Sequence, residues 1–380
     1  MLYWGWLLFE SFNKGEDLLL NEIYKDVCTS IIMKNSMGFV NNPCVNTANR
    51  FIEDYFESHS KGILFNKCLA EPNSMYSKSI HTVSAFLLGM KFKKICKTQI
   101  EKQIKENAQI ESQLFEYPWL LACLYHDVFS DYENNHDEKF PKSLHDFISG
   151  ESINHTIYSF DLPDEITLKD FKPIYKKESV EEYYVHMIKS SDKEEIHVDH
   201  GIISGYYAFD RLTENFIENW KQKHQLDEFT TEKDNHTLVW NKNQIWIFAF
   251  VADAIIAHNI WHTDDMKTVS KELWPNPNNK EEVKLSISKT PLAYFLSLID
   301  TIEPYKFFER KQKATPQEVF TGLSIEMHLN QIVITKDNSF EFDFKTWYDA
   351  KMKNMSDWLL NTSALLETES KIIIFLPENT

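Results

Sequence analysis

With 380 residues, of which 43% are hydrophobic, 14% aromatic and 26% charged, the chain has a globular composition and not that of a disordered one. A net charge of −17 repels phosphate backbones and anionic lipid, so long nucleic acid and membrane surfaces are disfavoured partners. Cys28, Cys44, Cys68, Cys96 and Cys123 are scattered without a C-x-x-C pair, which argues against a zinc ribbon or a disulfide framework and for reduced thiols in the cytoplasm.

The opening "MLYWGWLLFESFNKGED" is apolar for too short a run to span a membrane and lacks the basic start of a signal peptide, so it reads as a buried first helix. Apolar residues then recur at three- and four-residue spacing, which predicts helices over 15–33, 45–58, 77–93, 97–115, 117–128, 177–189, 199–221, 242–261, 287–307 and 345–361. The polar stretches "YENNHDEKFPKS" and "YKKESVEEYY" read as surface excursions that border a site. Two helix starts are well marked: Thr290 precedes Pro291, and Thr315 precedes Pro316, each pairing a capping hydroxyl with a proline whose missing N–H does no harm there. After about residue 320 the pattern changes. "LSIEMHLNQIVITKDNSFEFDF" alternates, with "KDNS" as its turn signal, and "KIIIFLP" reads as a buried strand. The expected fold is mainly α, with a helical domain over 1–310 and a small α+β appendage over 311–380.

Polar residues inside the apolar helices carry the chemistry. "WLLACLYHD" ends a strongly apolar run in His126 and Asp127, although an ionised carboxylate is costly to bury unless it is paired or bound to metal. His81 in "SIHTVSAFLLGM", His200 in "DHGIISGYYAFDRL", His258 in "FVADAIIAHNIWH" and Asp300 in "YFLSLIDTIEPY" sit in the same kind of core-like context. Neutral imidazoles with carboxylates suit divalent transition metals, and an aspartate can bridge two ions. Taken singly, each of these residues also reads as a satisfied core histidine or a paired aspartate.

In order, His81, His126-Asp127, His200, His258 and Asp300 resemble the H…HD…H…H…D pattern of the HD-domain superfamily of metal-dependent phosphohydrolases. The flanking segments "HTVSAFLLG", "LYHD", "DHGIISGYYA", "AIIAHNIW" and "LSLIDTIE" carry the likeness over residues 77–306. A second His-Asp dipeptide, His145-Asp146 in "LHDFISG", follows polar sequence and reads as a decoy. The resemblance implies an HD-type helical bundle holding one or two divalent ions, among Mn, Fe, Co, Ni, Zn and Mg. It implies that His81, His126, Asp127 and Asp300 hold one ion, and that Asp127 bridges to a second on His200 and His258.

Two departures stand out. Many members follow the His-Asp pair with Gly-Lys, where this chain has Phe129-Ser130, and Asn259 stands where the family has a second histidine. Lys78 and Arg211 are the candidates to replace the lysine. His262, one turn after His258, is a candidate substrate contact or proton shuttle, or else a helix-end histidine. Asp199 reads as a helix cap, and Trp261 as a surface on which a nucleobase could stack.

No G-x-x-x-x-G-K-[ST], G-x-G-x-x-G or G-x-S-x-G occurs in a suitable setting, so P-loop, Rossmann and hydrolase-elbow chemistry lack support. The expected activity is hydrolysis of a phosphoester, of a small nucleotide, by metal-activated water. The alternatives are an HD-type nuclease acting on single-stranded nucleic acid, and a degenerate HD fold that binds a nucleotide or a protein.

Overall fold

The computed structural model describes residues 77–108, 115–130, 141–159, 168, 171–190, 199–224, 244–260 and 284–378. The expected helices at 15–33 and 45–58, the first hydrophobic run, and residues 131–140 of the polar stretch "YENNHDEKFPKS" lie outside these residues. Among the described residues no helix is long and apolar enough to cross a membrane.

The helical part begins with α1 (Ser77–Phe92), α2 (Lys97–Ala108) and α3 (Glu116–Tyr125). It continues through α4 (Leu144–Gly150), α5 (Lys177–Ser190), α6 (His200–His224), α7 (Gln244–Ala257) and α8 (Pro291–Ile302). All of α3 is buried, and α7 is buried everywhere but at Trp246. Helices that are apolar all round belong at the centre of a bundle. Glu116, the charge in the first turn of α3, is answered by Lys93 at 3.1 Å.

α6 lies close against α7 because two glycines permit it. A Cβ on Gly205 would fall 2.7 Å from the Ala252 carbonyl oxygen and 2.5 Å from Ile256 Cγ1. One on Gly201 would fall 2.9 Å from the Ile255 carbonyl oxygen and 2.9 Å from the His258 ring. The segment "HGIISG" therefore presents its backbone to α7 and sets the spacing of the two histidines those helices carry.

Several sequence expectations are corrected. The helix expected over 287–307 breaks after Ile302: Glu303 is extended at φ −69°, ψ 116°, and α9 (Tyr305–Gln312) starts afresh after Pro304. The residue before proline disfavours the helical region, which is the cause of the break. Thr290 makes no side-chain cap, its hydroxyl accepting from Ser286 N instead, whereas Thr315 and Glu318 form a reciprocal capping box on α10 (Pro316–Gly322). The polar-looking "YKKESVEEYY" is no surface excursion: it opens α5 and buries Tyr175, Tyr183 and Tyr184.

The C-terminal sheet is antiparallel, in the order β1-β2-β4-β3, from β1 (Leu323–His328), β2 (Gln331–Lys336), β3 (Ser363–Thr368) and β4 (Lys371–Phe375). Leu323, Ile325, Ile332, Ile334, Ile372 and Ile374 are its buried positions, in the period-two alternation of a sheet with one covered face. The β1–β2 turn falls at Leu329-Asn330, with Leu329 at φ 42°, and not at the "KDNS" segment, which follows β2. β3 was not anticipated. The helix expected over 345–361 shortens to α11 (Phe344–Trp347) followed by a π turn over Tyr348–Met352 and a 3-10 turn over Met355–Asp357. The sheet unit is tied back to α8 and the chain before it by Leu285 N to Trp358 O (2.9 Å), Leu360 N to Leu285 O (2.9 Å) and Tyr294 Oη to Thr362 Oγ1 (2.6 Å).

Candidate metal centre

Five separate helical segments bring the singled-out histidines and aspartates together. His81 lies on α1, His126 and Asp127 directly follow α3, His200 opens α6, His258 directly follows α7, and Asp300 lies near the end of α8. His81, His126, Asp127, His200 and His258 are buried, and the Asp300 side chain is 13% exposed.

The imidazoles are oriented by their Nδ1 atoms. His126 Nδ1 donates to the Cys123 carbonyl at 2.9 Å and His258 Nδ1 to the Ile255 carbonyl at 2.6 Å, each three residues back in its own helix. His81 Nδ1 donates to Glu303 Oε2 at 2.6 Å. A carbonyl cannot donate, so neutral His126 and His258 carry their proton on Nδ1 and turn an Nε2 lone pair inward. This is the arrangement by which metal-binding histidines are held, with the remote nitrogen hydrogen-bonded to a carbonyl or carboxylate.

Three electron-rich atoms then converge. His81 Nε2 lies 3.1 Å from His126 Nε2, and Asp300 Oδ1 lies 3.0 Å from His81 Nε2 and 3.5 Å from His126 Nε2. With both Nδ1 atoms protonated, two lone pairs face each other beside a carboxylate, and only a cation between them makes that contact favourable. A proton on His81 or a metal ion would serve. The donors of His81, His126 and Asp300 all lie within 4.8 Å of one another, so this two-nitrogen, one-oxygen set fits a divalent transition ion.

Asp127 lies apart from that tight group, in a second cluster. Its Oδ1 is 3.2 Å from His200 Nε2 and 2.8 Å from Lys306 Nζ. His258 links the clusters, its ring 5.6 Å from those of both His126 and His200, and its buried Nε2 has no hydrogen-bond partner among the described residues.

The electrostatics follow from burial and neighbours. Burial pushes His258 down to about 3, with His200 and His126 adding to the fall and Asp300 opposing it, so this imidazole is neutral. Burial by itself lowers His81, but Glu303 and Asp300 overcome it and leave its pKa raised. Burial by itself raises Asp300, but Lys306, His126 and His81 hold it well below the usual carboxylate range.

Two residues of the cluster, Glu303 and Lys306, escaped the sequence reading. Lys306 lies six residues past Asp300, which on a continuous helix is about 240° around the axis and faces away. The break at Glu303-Pro304 returns it to the site. Glu303 receives His81, while its two oxygens also accept from the backbone of Tyr305 (3.0 Å) and Lys306 (3.2 Å), so one carboxylate orients a ligand and caps the helix that carries Lys306. Its spacing of three from Asp300 was a legible signal, since such residues share a helix face.

The other candidates are placed elsewhere or lie beyond description. Arg211 is three turns beyond His200, about 16 Å along the helix. There it bonds Glu214 and the Glu151 carbonyl and lies over the Tyr207 ring. Lys78 is in the first turn of α1, but its side chain is outside the described residues, as are His262 and Trp261 entirely. Asp199 accepts from Ile202 N at 2.9 Å, the cap expected of it. His145 and Asp146 are exposed on α4, unlike the buried histidines and Asp127 of the cluster. Phe129 packs on Phe147 and Tyr207, in the place of a flexible Gly-Lys. No family model, curated protein or solved structure matches the chain.

Proposed function

We propose that the chain is a metal-dependent phosphohydrolase of the HD type, hydrolysing a phosphoester of a small nucleotide. The observation that supports this most strongly is the convergence of His81 Nε2, His126 Nε2 and Asp300 Oδ1 with both remote imidazole nitrogens already committed. His81, His126 and Asp300 would hold the ion, with Asp127 and His258 beside it. A bound divalent ion supplies an activated water at neutral pH and positive charge for phosphoryl oxygens.

The chain's own residues prepare the rest. Glu303 and the Cys123 and Ile255 carbonyls lock three rings in the tautomer that offers Nε2. Lys306 places a fixed positive charge at Asp127, where the missing Gly-Lys lysine would otherwise be sought, and supplies a donor for a phosphoryl oxygen. The buried apolar wall of α3 and α7 keeps bulk water from the ligands and so strengthens each charge interaction.

The test is elemental analysis of the purified chain after loading with Mn, Fe, Co, Ni or Zn, followed by a phosphoester screen. We expect metal retention and turnover of mononucleotides, both lost in His81→Ala and Asp300→Asn and both kept in His145→Ala. Cleavage of single-stranded DNA without mononucleotide turnover would replace the substrate with a polymer. Failure to retain any ion would sink the hydrolase and leave a binding module.

A further inference from the structure

We propose that this centre takes a single divalent ion and that the ammonium of Lys306 supplies the second positive charge of the site. The inference rests on the metal-centre reading above and concerns how many ions that centre accepts.

Asp127 is the carboxylate that would have to bridge two ions, and its Oδ1 already has Lys306 Nζ at 2.8 Å and His200 Nε2 at 3.2 Å. Lys306 is no surface residue reaching in by chance, since its side chain is only 14% exposed. Its backbone N–H is held by Glu303 Oε2, the same oxygen that orients His81, so the lysine is anchored at both ends within the site.

Asp127, Asp300 and Glu303 place three carboxylates around the imidazoles, and Lys306 offsets one of them. The remaining formal charge of −2 is cancelled by one divalent ion with the histidines neutral. A second ion would leave the buried centre at +2 with the ammonium included, an uncompensated charge of the kind that interiors exclude.

The tight group of donors among the described residues is His81, His126 and Asp300, whereas Asp127 and His200 form a separate pair closed by the lysine. A position that would complete the second set, the residue after His258, is Asn259, whose amide is a poor transition-metal ligand.

The experiment is manganese stoichiometry by elemental analysis and by the Mn(II) electron paramagnetic resonance spectrum, in which a coupled pair of ions differs from an isolated one. Native protein should hold one ion per chain with an uncoupled spectrum. Lys306→Met should admit a second ion and give a coupled spectrum, and Lys306→Arg should stay at one. Adding His200→Ala to Lys306→Met should return the count to one, which locates the new ion. If Lys306→Met does not fold, Lys306→Gln, which keeps a donor for Asp127, replaces it with the same expectation. Two ions in native protein would overturn the inference while leaving the metal centre intact, as would a count of one in folded Lys306→Met or Lys306→Gln. No ion in native protein would remove the metal centre itself and this inference with it.

Discussion

The helical part and the C-terminal sheet bury different things. The sheet buries Ile325, Ile332, Ile334, Ile372 and Ile374, flanked by an aromatic group in which Phe308 packs on Phe340 and Trp347. The helical bundle buries His81, His126, Asp127, His200 and His258 among equally apolar neighbours. In the sheet every buried strand position is satisfied by exclusion of water. In the bundle, titratable side chains are dehydrated together, and His258 Nε2 has no hydrogen-bond partner among the described residues. The contrast separates a region whose interior is apolar from one whose interior gathers histidines and carboxylates.

The largest break in this comparison should come from Trp347→Ala. Trp347 is fully buried, and deleting its ring should lower unfolding stability by about 3–5 kcal/mol in denaturant titrations. Metal stoichiometry of the folded fraction should not change. A loss of bound metal at unchanged stability would show that the two regions are not energetically distinct.

Glu303→Gln addresses the bundle in the opposite sense. The amide retains an acceptor for the α9 backbone but weakens the hold on His81 Nδ1, so metal affinity by calorimetry should fall about 10–100-fold. Thermal stability of the metal-free protein should move far less than in Trp347→Ala.

Gly205→Ala tests whether helix spacing is shared between stability and site. Its Cβ meets the Ala252 carbonyl, which cannot rotate away, so a cost of about 1–3 kcal/mol is expected together with weaker metal binding. Stability lost with metal affinity intact would separate the α6–α7 contact from the centre.

The smallest effect, read at acid pH where the native carboxyl is neutral in both folded and unfolded states, should be that of Asp253→Asn. Burial pushes Asp253 up to about 8, against the opposing bond from Ile174 N at 2.9 Å. Its unfolded value is about 3.9, so the folded state binds the extra proton between the two values. That contribution is fully present below about pH 4 and is lost as pH rises through about 8. Unfolding free energies at about pH 5 and pH 8 should therefore decline in native protein, and the asparagine variant should lack that component of the decline. Parallel profiles would place the proton elsewhere.

The candidate ligands were legible because a histidine or aspartate in an otherwise apolar helix is an anomaly at the level of sequence: His81, His126-Asp127, His200, His258 and Asp300 were each visible in that way. The cap at Thr315 before Pro316 and the period-two strands were legible because they depend on near neighbours in sequence, whereas the reciprocal bond from Glu318 was seen only in the structure. β3 was hidden since its exposed, polar-flanked "SALLET" has no buried face of its own to imprint a strong alternation.

What the sequence by itself determined was a mainly helical chain with a small β-containing end and the identities of six candidate ligands, because burial preference acts residue by residue. Only the tertiary structure decided that Asp127 joins His200 and not the His81 group, that Glu303 serves both a ligand and a helix start, and that Lys306 reaches Asp127 across the chain. Those pairings span up to 222 positions in sequence, and they arise from where helices cross and where Pro304 breaks one, which no local pattern encodes.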